Sequence, residues 1–310
     1  LAPGDDRALD VVVADQADVI RLALLGVAAT ASWLDGCAAL EEATFSGSYA
    51  SNLPEDLTSQ IQARGIKVYS HPTEGFWGQS VAEFGLALTL CGLRRIPQLH
   101  HRIINSQQEW EYRPPGDIGR PGARGHQFGD DPDFTSGTLA GKRVRIVGAG
   151  NIASRYAQFC HLIGAEVAAW DPFATEPCFH RSGSRREYHL EELVKDAQIF
   201  APMVPLLEST QGIVTAAHID ALPKGCLVVL VTRAGICDME ALRRRVSAGE
   251  LSLAADVFDI EPLPLDDPLL GHPNVVHTPH NAGRTIDANH AWAEKLAVQF
   301  RPRPGTARRS

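Results

Sequence analysis

The stretch Val144-Arg145-Ile146-Val147-Gly148-Ala149-Gly150-Asn151-Ile152-Ala153 decides the fold. A short apolar run ends in a G-x-G-x-x-A signature, and a helical pattern, "NIASRYAQFCHLIGA", begins inside it. That order of strand, glycine turn and helix is the context in which the signature carries meaning. Gly148 permits the tight turn. Gly150 lets backbone approach a pyrophosphate at the positive amino end of the helix that Asn151 and Ile152 open, and Ala153 is small enough for helix to pack closely on sheet. Asp171 closes the next apolar run, 23 residues after Gly148. A carboxylate there can accept hydrogen bonds from an adenosine ribose diol and would repel a 2′-phosphate, so the sequence predicts NAD rather than NADP. Arg185 and Arg186 are the basic residues that could reverse this, but they stand well beyond the strand end. The alternative, a helix-packing glycine pair with a solvated aspartate, explains less of the order.

Working outward, residues 140–283 alternate apolar runs and helical patterns with little between them. "KRVRIVGAG", "EVAAWDP", "IFAPMVP", "LVVLVT", "LSLAADVF" and "NVVHTP" read as strands, with helices such as "HLEELVKDA" interspersed. Such alternation implies a parallel sheet with ligand sites at the carboxyl ends of its strands. The predicted fold class is α/β: a Rossmann-type doubly wound parallel sheet plus a second, smaller α/β domain. The latter rests on "ALDVVVA", "RLALLGVAATASWL", "ALEEATFSG" and "GIKVYSHP" in the first hundred residues. In "SVAEFGLALTLCGLRRIPQLHHRI", Ser80 and Glu83 have the spacing of a capping box, and Pro97 should interrupt the helix. From Tyr112 to Gly137 the chain is dense in Gly, Pro and Asp, the composition of an arm, a lid or a disordered loop.

Composition limits the function. The chain has 310 residues, 44% of them hydrophobic, enough to bury two cores. A formal net charge of -8 argues against nucleic-acid or anionic-membrane surfaces. The longest apolar run, Leu22 to Leu34, is too short to span a bilayer, and the preceding acids Asp15 and Asp18 are unlike a signal peptide. Six cysteines without a C-x-x-C spacing fit reduced thiols and a cytoplasmic location. No metal-ligand pattern is visible, and no metal is expected.

Three later strand ends carry chemistry. Arg233 follows "LVVLVT", and a guanidinium fork suits a substrate carboxylate. Asp256 and Glu261 follow "LSLAA", and His280 ends "NVVHTP". In a parallel sheet these gather on one edge, where a carboxylate beside an imidazole fixes its tautomer for general acid/base work. Taken singly, each could be an ordinary solvated or packing residue; their arrival after successive strands argues for a site.

These motifs resemble the D-isomer-specific 2-hydroxyacid dehydrogenase family. The resemblance is strongest from Leu139 to Thr285, through "VGAGNIA", "VPLLESTQGIV", "TRAGICDMEAL", "DVFDIEPLP" and "HPNVVHTPHNAGRT", and reaches back to "RGIKV" and "SVAE". It implies that His280 is the acid/base, that Glu261 supports it and that Arg233 binds the substrate carboxylate and polarises its carbonyl. It implies that Asp256 orients the nicotinamide carboxamide, with Pro205, Thr210, Thr232 and Gly283 as further cofactor contacts. Ser46, Gly47 and Ser48 match its substrate-carboxylate loop weakly. By the same resemblance the smaller, flavodoxin-like domain is the discontinuous substrate domain, residues 1–103 with 286–310, and residues 104–285 form the NAD-binding domain. The reaction then sits between them, and the Gly/Pro-rich stretch lies near a dimerisation arm, so a homodimer is implied. The sequence departs from the family's N-T-A-R-G at Leu230-Val231-Thr232-Arg233-Ala234, carries "PTEGFWGQSVAE" with Phe76 and Trp77, and ends in a basic tail. Glu261 disfavours a formate dehydrogenase, which pairs its histidine with glutamine, while phosphite chemistry stays open. The expected activity is hydride transfer between NAD(H) and a 2-keto or D-2-hydroxy acid; the alternative is an NAD(H)-sensing protein of the same fold.

Overall fold

A computed structural model describes residues 18–24, 31–45, 54–69, 77–106, 131, 133–283 and 285–297. The run "ALDVVVA", the loop of Ser46, Gly47 and Ser48, Phe76, most of the Gly/Pro-rich stretch and the basic tail lie outside these residues. Two units divide the chain, Leu1–Trp77 with Arg284–Ser310, and Gly78–Gly283.

In the first unit, β1 (Arg21–Leu24), β2 (Glu42–Phe45) and β3 (Lys67–Tyr69) form a parallel sheet in that order. Helices α1 (Ala31–Gly36) and α2 (Glu55–Ala63) connect the strands. "RLALLGVAATASWL" thus divides between β1 and α1. Leu22, Leu34, Leu40, Ala43, Leu57 and Ile61 share one buried cluster. Arg64, just after α2, ties the end of α1 by donating to the carbonyls of Leu34, Cys37 and Ala38.

The second unit opens with α3 (Trp77–Arg94), whose first residue still belongs to the first unit, and α4 (Ile96–Asn105). Pro97 separates them as expected, standing in the first turn of α4 after a left-handed Arg95 at φ 52°. Ser80 lies inside α3 rather than at its cap, because the helix begins at Trp77. A larger correction concerns the domain boundary, which falls at Trp77 and not after residue 103. The reason is packing that no local pattern reports. A methyl group on Gly85 would touch Met203, Tyr156 and Val231, and one on Gly92 would collide with Leu227. Thr89 Oγ1 lies 2.8 Å from the Tyr156 hydroxyl. Helix α3 is therefore seated on the large sheet.

That sheet has seven parallel strands. In chain order they are β4 (Arg143–Val147), β5 (Glu166–Trp170), β6 (Arg185–Glu187), β7 (Ile199–Pro202), β8 (Leu227–Leu230), β9 (Ser252–Ala255) and β10 (Val275–His277). Between them run α5 (Asn151–Leu162), α6 (Glu176–Ser182), α7 (Leu190–Val194), α8 (Ala216–Ala221) and α9 (Met239–Ser247). The spatial order is β10-β9-β8-β7-β4-β5-β6, so the winding reverses between β4 and β7. In an open α/β sheet that reversal leaves a crevice at the carboxyl ends of the two strands, where ligands bind. Strands buried on both faces explain why "LVVL" and "IFAP" are continuous apolar runs.

One buried charge interrupts the pattern. Arg145 on β4 is buried, and its guanidinium meets both oxygens of Asp196, at 2.7 and 2.6 Å, and Glu166 at 2.9 Å. The Arg145 hydrogen bond, outweighing burial, holds the Asp196 carboxyl below its ordinary pKa. Its contribution to stability is therefore complete above the unfolded value of about 3.9 and is lost as pH falls through the lowered folded value. After Gly283 the chain returns to the first unit in α10 (Ile286–Ala297).

Candidate active site

The glycine turn lies at the switch point. Gly148, directly after β4, has φ 115°, a conformation that glycine adopts at little cost. A side chain there would also meet Val204 at 3.1 Å and the Met203 backbone at 3.3 Å, the segment that follows β7. Gly150 precedes α5, and a methyl group on it would meet nothing within 4 Å. The residue at the cap, Gly150, has no side chain with which to occupy that helix end. An open backbone approach at a twelve-residue helix's amino end is what a pyrophosphate requires, so these residues fit a dinucleotide. Asn151 accepts from Arg155 at 3.0 Å, and Arg155 in turn donates to Gln79 of α3, a link not legible in the sequence.

Asp171 stands at the end of β5. One carboxylate oxygen accepts the Ala149 amide at 2.8 Å, and the other accepts the amides of Phe173 and Ala174 at 2.9 and 3.0 Å. It thereby clamps the glycine turn to the next loop, and the singly bonded oxygen keeps a lone pair for a ribose hydroxyl. Both nearby arginines are engaged. Arg185 pairs with Glu187 at 3.0 Å, while Arg186 pairs with Glu176 at 3.2 Å and lies 5.0 Å from the ring centres of Phe179 and Tyr188.

The loops after β8, β9 and β10 surround a cavity of about 370 Å³. Arg233, Glu261 and His280 line it together with Leu206, Phe258 and Asp259. The Arg233 side chain donates to the Thr232 carbonyl at 2.7 Å. Among the described residues it holds no carboxylate partner. His280 Nδ1 is 2.6 Å from Glu261 Oε2, with the two side chains 40% and 34% exposed. Burial pushes the Glu261 carboxyl up, but the His280 hydrogen bond, the Phe258 amide at 2.8 Å and the charges of His280 and Arg233 outweigh it. Its pKa is lowered, so Glu261 is a carboxylate at neutral pH and can only accept. Nδ1 must then carry the proton, which leaves Nε2 to exchange one with a ligand.

Asp256, after β9, is fully buried at 0% exposure. Its oxygens accept the Thr278 hydroxyl at 2.6 Å and the amides of Asn281 and Ala282 at 3.1 and 2.9 Å. Asp256 thus anchors the loop that carries His280. Thr210 and Thr232 are likewise buried, and their hydroxyls donate to the carbonyls of Pro205, at 2.5 Å, and Pro202, at 3.3 Å. They hold the loops after β7 and β8. Pro205 is exposed at the start of the first of these, and Gly283 ends the second unit. Sequence reasoning missed Leu206 and Phe258 as cavity walls. The place of Leu206 just past the apolar run "IFAPMVP" was the available signal for the first.

An all-parallel, doubly wound sheet with a glycine turn at its switch point defines a dinucleotide-binding domain. The chain belongs to the D-isomer specific 2-hydroxyacid dehydrogenases: that family's NAD binding domain matches residues 86–282. The match begins within α3, in keeping with the structural boundary. The chain is 35% identical over 210 residues to a D-3-phosphoglycerate dehydrogenase of Bacillus subtilis, covering 67% of this chain and 36% of that protein. It is 31% identical over 234 residues to a hydroxypyruvate reductase of Thermotoga maritima, covering 74% and 67%. The first D-3-phosphoglycerate dehydrogenases it matches are much longer, and the chain spans 40% of the Archaeoglobus fulgidus protein. In fold it is similar to a D-lactate dehydrogenase of Treponema pallidum, with TM-score 0.69 at 18% identity over 91% of this chain and 82% of that one. A D-mandelate dehydrogenase of Rhodotorula graminis gives TM-score 0.65 at 20% identity, covering 91% and 79%.

Among the described residues no helix is long and apolar enough to cross a membrane. Nor could any group of three or more His, Cys, Asp or Glu among them hold a metal ion.

Proposed function

We propose that this chain is an NAD(H)-dependent D-2-hydroxyacid dehydrogenase acting on a small 2-keto acid. The observation that carries this reading is the meeting of Arg233, Glu261 and His280 around one cavity, on the sheet edge that also bears the glycine turn. Bound NADH supplies the hydride for the carbonyl carbon. Arg233 takes the substrate carboxylate in its fork and stabilises charge at the carbonyl. His280 Nε2 delivers a proton to the carbonyl oxygen, and Glu261 keeps the ring in the required tautomer and balances its charge. In the oxidative direction the same nitrogen accepts the hydroxyl proton. Pro205, Thr210, Thr232 and Gly283 belong to the loops that would border the cofactor, and Asn151, Ile152 and Asp171 to the turn that would hold its phosphates and ribose. A homodimer is part of this reading on the family resemblance. So is a reducing, cytoplasmic setting, in keeping with six free cysteines.

The test is reduction of glyoxylate, hydroxypyruvate, pyruvate and bulkier 2-keto acids, read by nicotinamide absorbance with NADH and NADPH side by side. Turnover is expected, with higher kcat/KM for NADH, because Asp171 repels a 2′-phosphate and Arg185 and Arg186 are already paired. Asp171→Ala should narrow the preference. Equal kcat/KM for the two cofactors in the unmutated protein would contradict the Asp171 assignment. A folded, NADH-binding protein that reduces none of these acids would be a sensor instead.

A further inference from the structure

We infer that Arg243 tunes the substrate cavity for an anion: it draws the Asp259 carboxylate onto α9 and compensates its charge. The inference rests on the reading of that cavity as a 2-keto acid site. Two carboxylates, Asp259 and Glu261, stand two residues apart on the loop after β9 and line the cavity with Arg233 and His280. Glu261 is engaged with His280. Arg233 balances one negative charge, so an uncompensated Asp259 would turn the wall against a substrate carboxylate. Asp259 has no part in the proton transfer, and it is the one that α9 takes up. Arg243 Nε lies 3.0 Å from both Asp259 oxygens, and Nη2 lies 2.6 Å from Oδ1. Nη1 lies 3.0 Å from both oxygens of Asp267. One guanidinium therefore holds the loop on both sides of Glu261, a task that suits a fork and not a point charge. Asp267 is fixed further by the Leu269 amide at 2.9 Å. The next two arginines of α9 are committed elsewhere, Arg244 to Asp220 and Arg245 to Glu250. Among the described residues, Arg243 is the cation that pairs with Asp259.

Arg243→Gln removes the charge and cannot span both aspartates. With a 2-keto acid that the wild type reduces, kcat/KM at low salt is expected to fall about fivefold, the upper range for a partly exposed charge pair. The loss should lie in KM, with kcat close to wild type, because Glu261 keeps its contact with His280. Near 1 M sodium chloride, where the screening length is about 3 Å, the gap between variant and wild type should narrow. Adding Asp259→Asn to Arg243→Gln should bring KM back toward the wild-type value. It cannot rebuild the link between loop and helix, so the melting temperature should stay lowered while KM recovers. That split separates compensation of charge from simple support of the loop. If Arg243→Gln does not fold, Arg243→Lys carries the test: an ammonium holds one aspartate poorly and not both, so KM should rise and Asp259→Asn should reverse the rise.

An unchanged KM in Arg243→Gln would overturn the inference. So would a raised KM that Asp259→Asn leaves in place, a gap that persists at high salt, or a loss confined to kcat. Each of these outcomes leaves the dehydrogenase reading standing, since the wild type turns over in all of them. No turnover by the wild type on any acid would remove that reading, and this inference with it.

Discussion

Replacing His280 by glutamine is expected to lower kcat by about 10²-fold or more, the usual scale for general acid/base catalysis. NADH should bind as before. Glutamine can still meet Glu261 with its amide, so the loop keeps a partner, but the amide has no proton to give at neutral pH. Proton transfer is what the substitution removes. Glu261 supports this role because its carboxyl is held below the ordinary value despite burial, and it stays charged as pH falls toward the acid range. Its contribution is present above an unfolded pKa of about 4.3 and is lost only as pH drops through the lowered folded value. Steady-state kinetics beside an NADH titration measures both quantities. Wild-type turnover by His280→Gln would remove His280 from the chemistry.

Arg233→Lys is expected to cost about 10²-fold in kcat/KM although it preserves the charge, a loss like that of one preorganised transition-state donor. A planar fork meets a carboxylate with two parallel hydrogen bonds, and an ammonium cannot reproduce that geometry. Arg233 is placed for the task. It stands after β8, its backbone extended at φ -150°, with one guanidinium nitrogen donating to Thr232 and no carboxylate partner among the described residues. The NADH dissociation constant should not move. Kinetics indistinguishable from wild type would dismiss the assignment of the substrate carboxylate to Arg233.

Much of this site was legible because a parallel sheet converts sequence into place. Short apolar runs that end in Gly148, Asp171, Arg233 or His280 predict that those residues share an edge, whatever the details of packing. The strands themselves were readable because burial on both faces leaves unbroken apolar runs. Strand β6 was not, since "RRE" at the edge of the sheet is charged and has no apolar pattern. The domain boundary was missed because α3 looks the same in sequence whichever unit it joins. Its glycines decide the matter by meeting Tyr156, Met203, Val231 and Leu227, residues far along the chain. The position of Asp256 was legible, but its complete burial and its three bonds to the His280 loop were not. They depend on a left-handed residue whose side chain type does not announce it.

The most direct measurement is the chirality of the product made from a 2-keto acid and NADH. Enantiomer-resolving chromatography after full conversion would show it. The D-2-hydroxy acid is expected, formed by the wild type and suppressed in His280→Gln. An L-product, a racemate, or no 2-hydroxy acid from a folded, NADH-binding protein would contradict the proposed function.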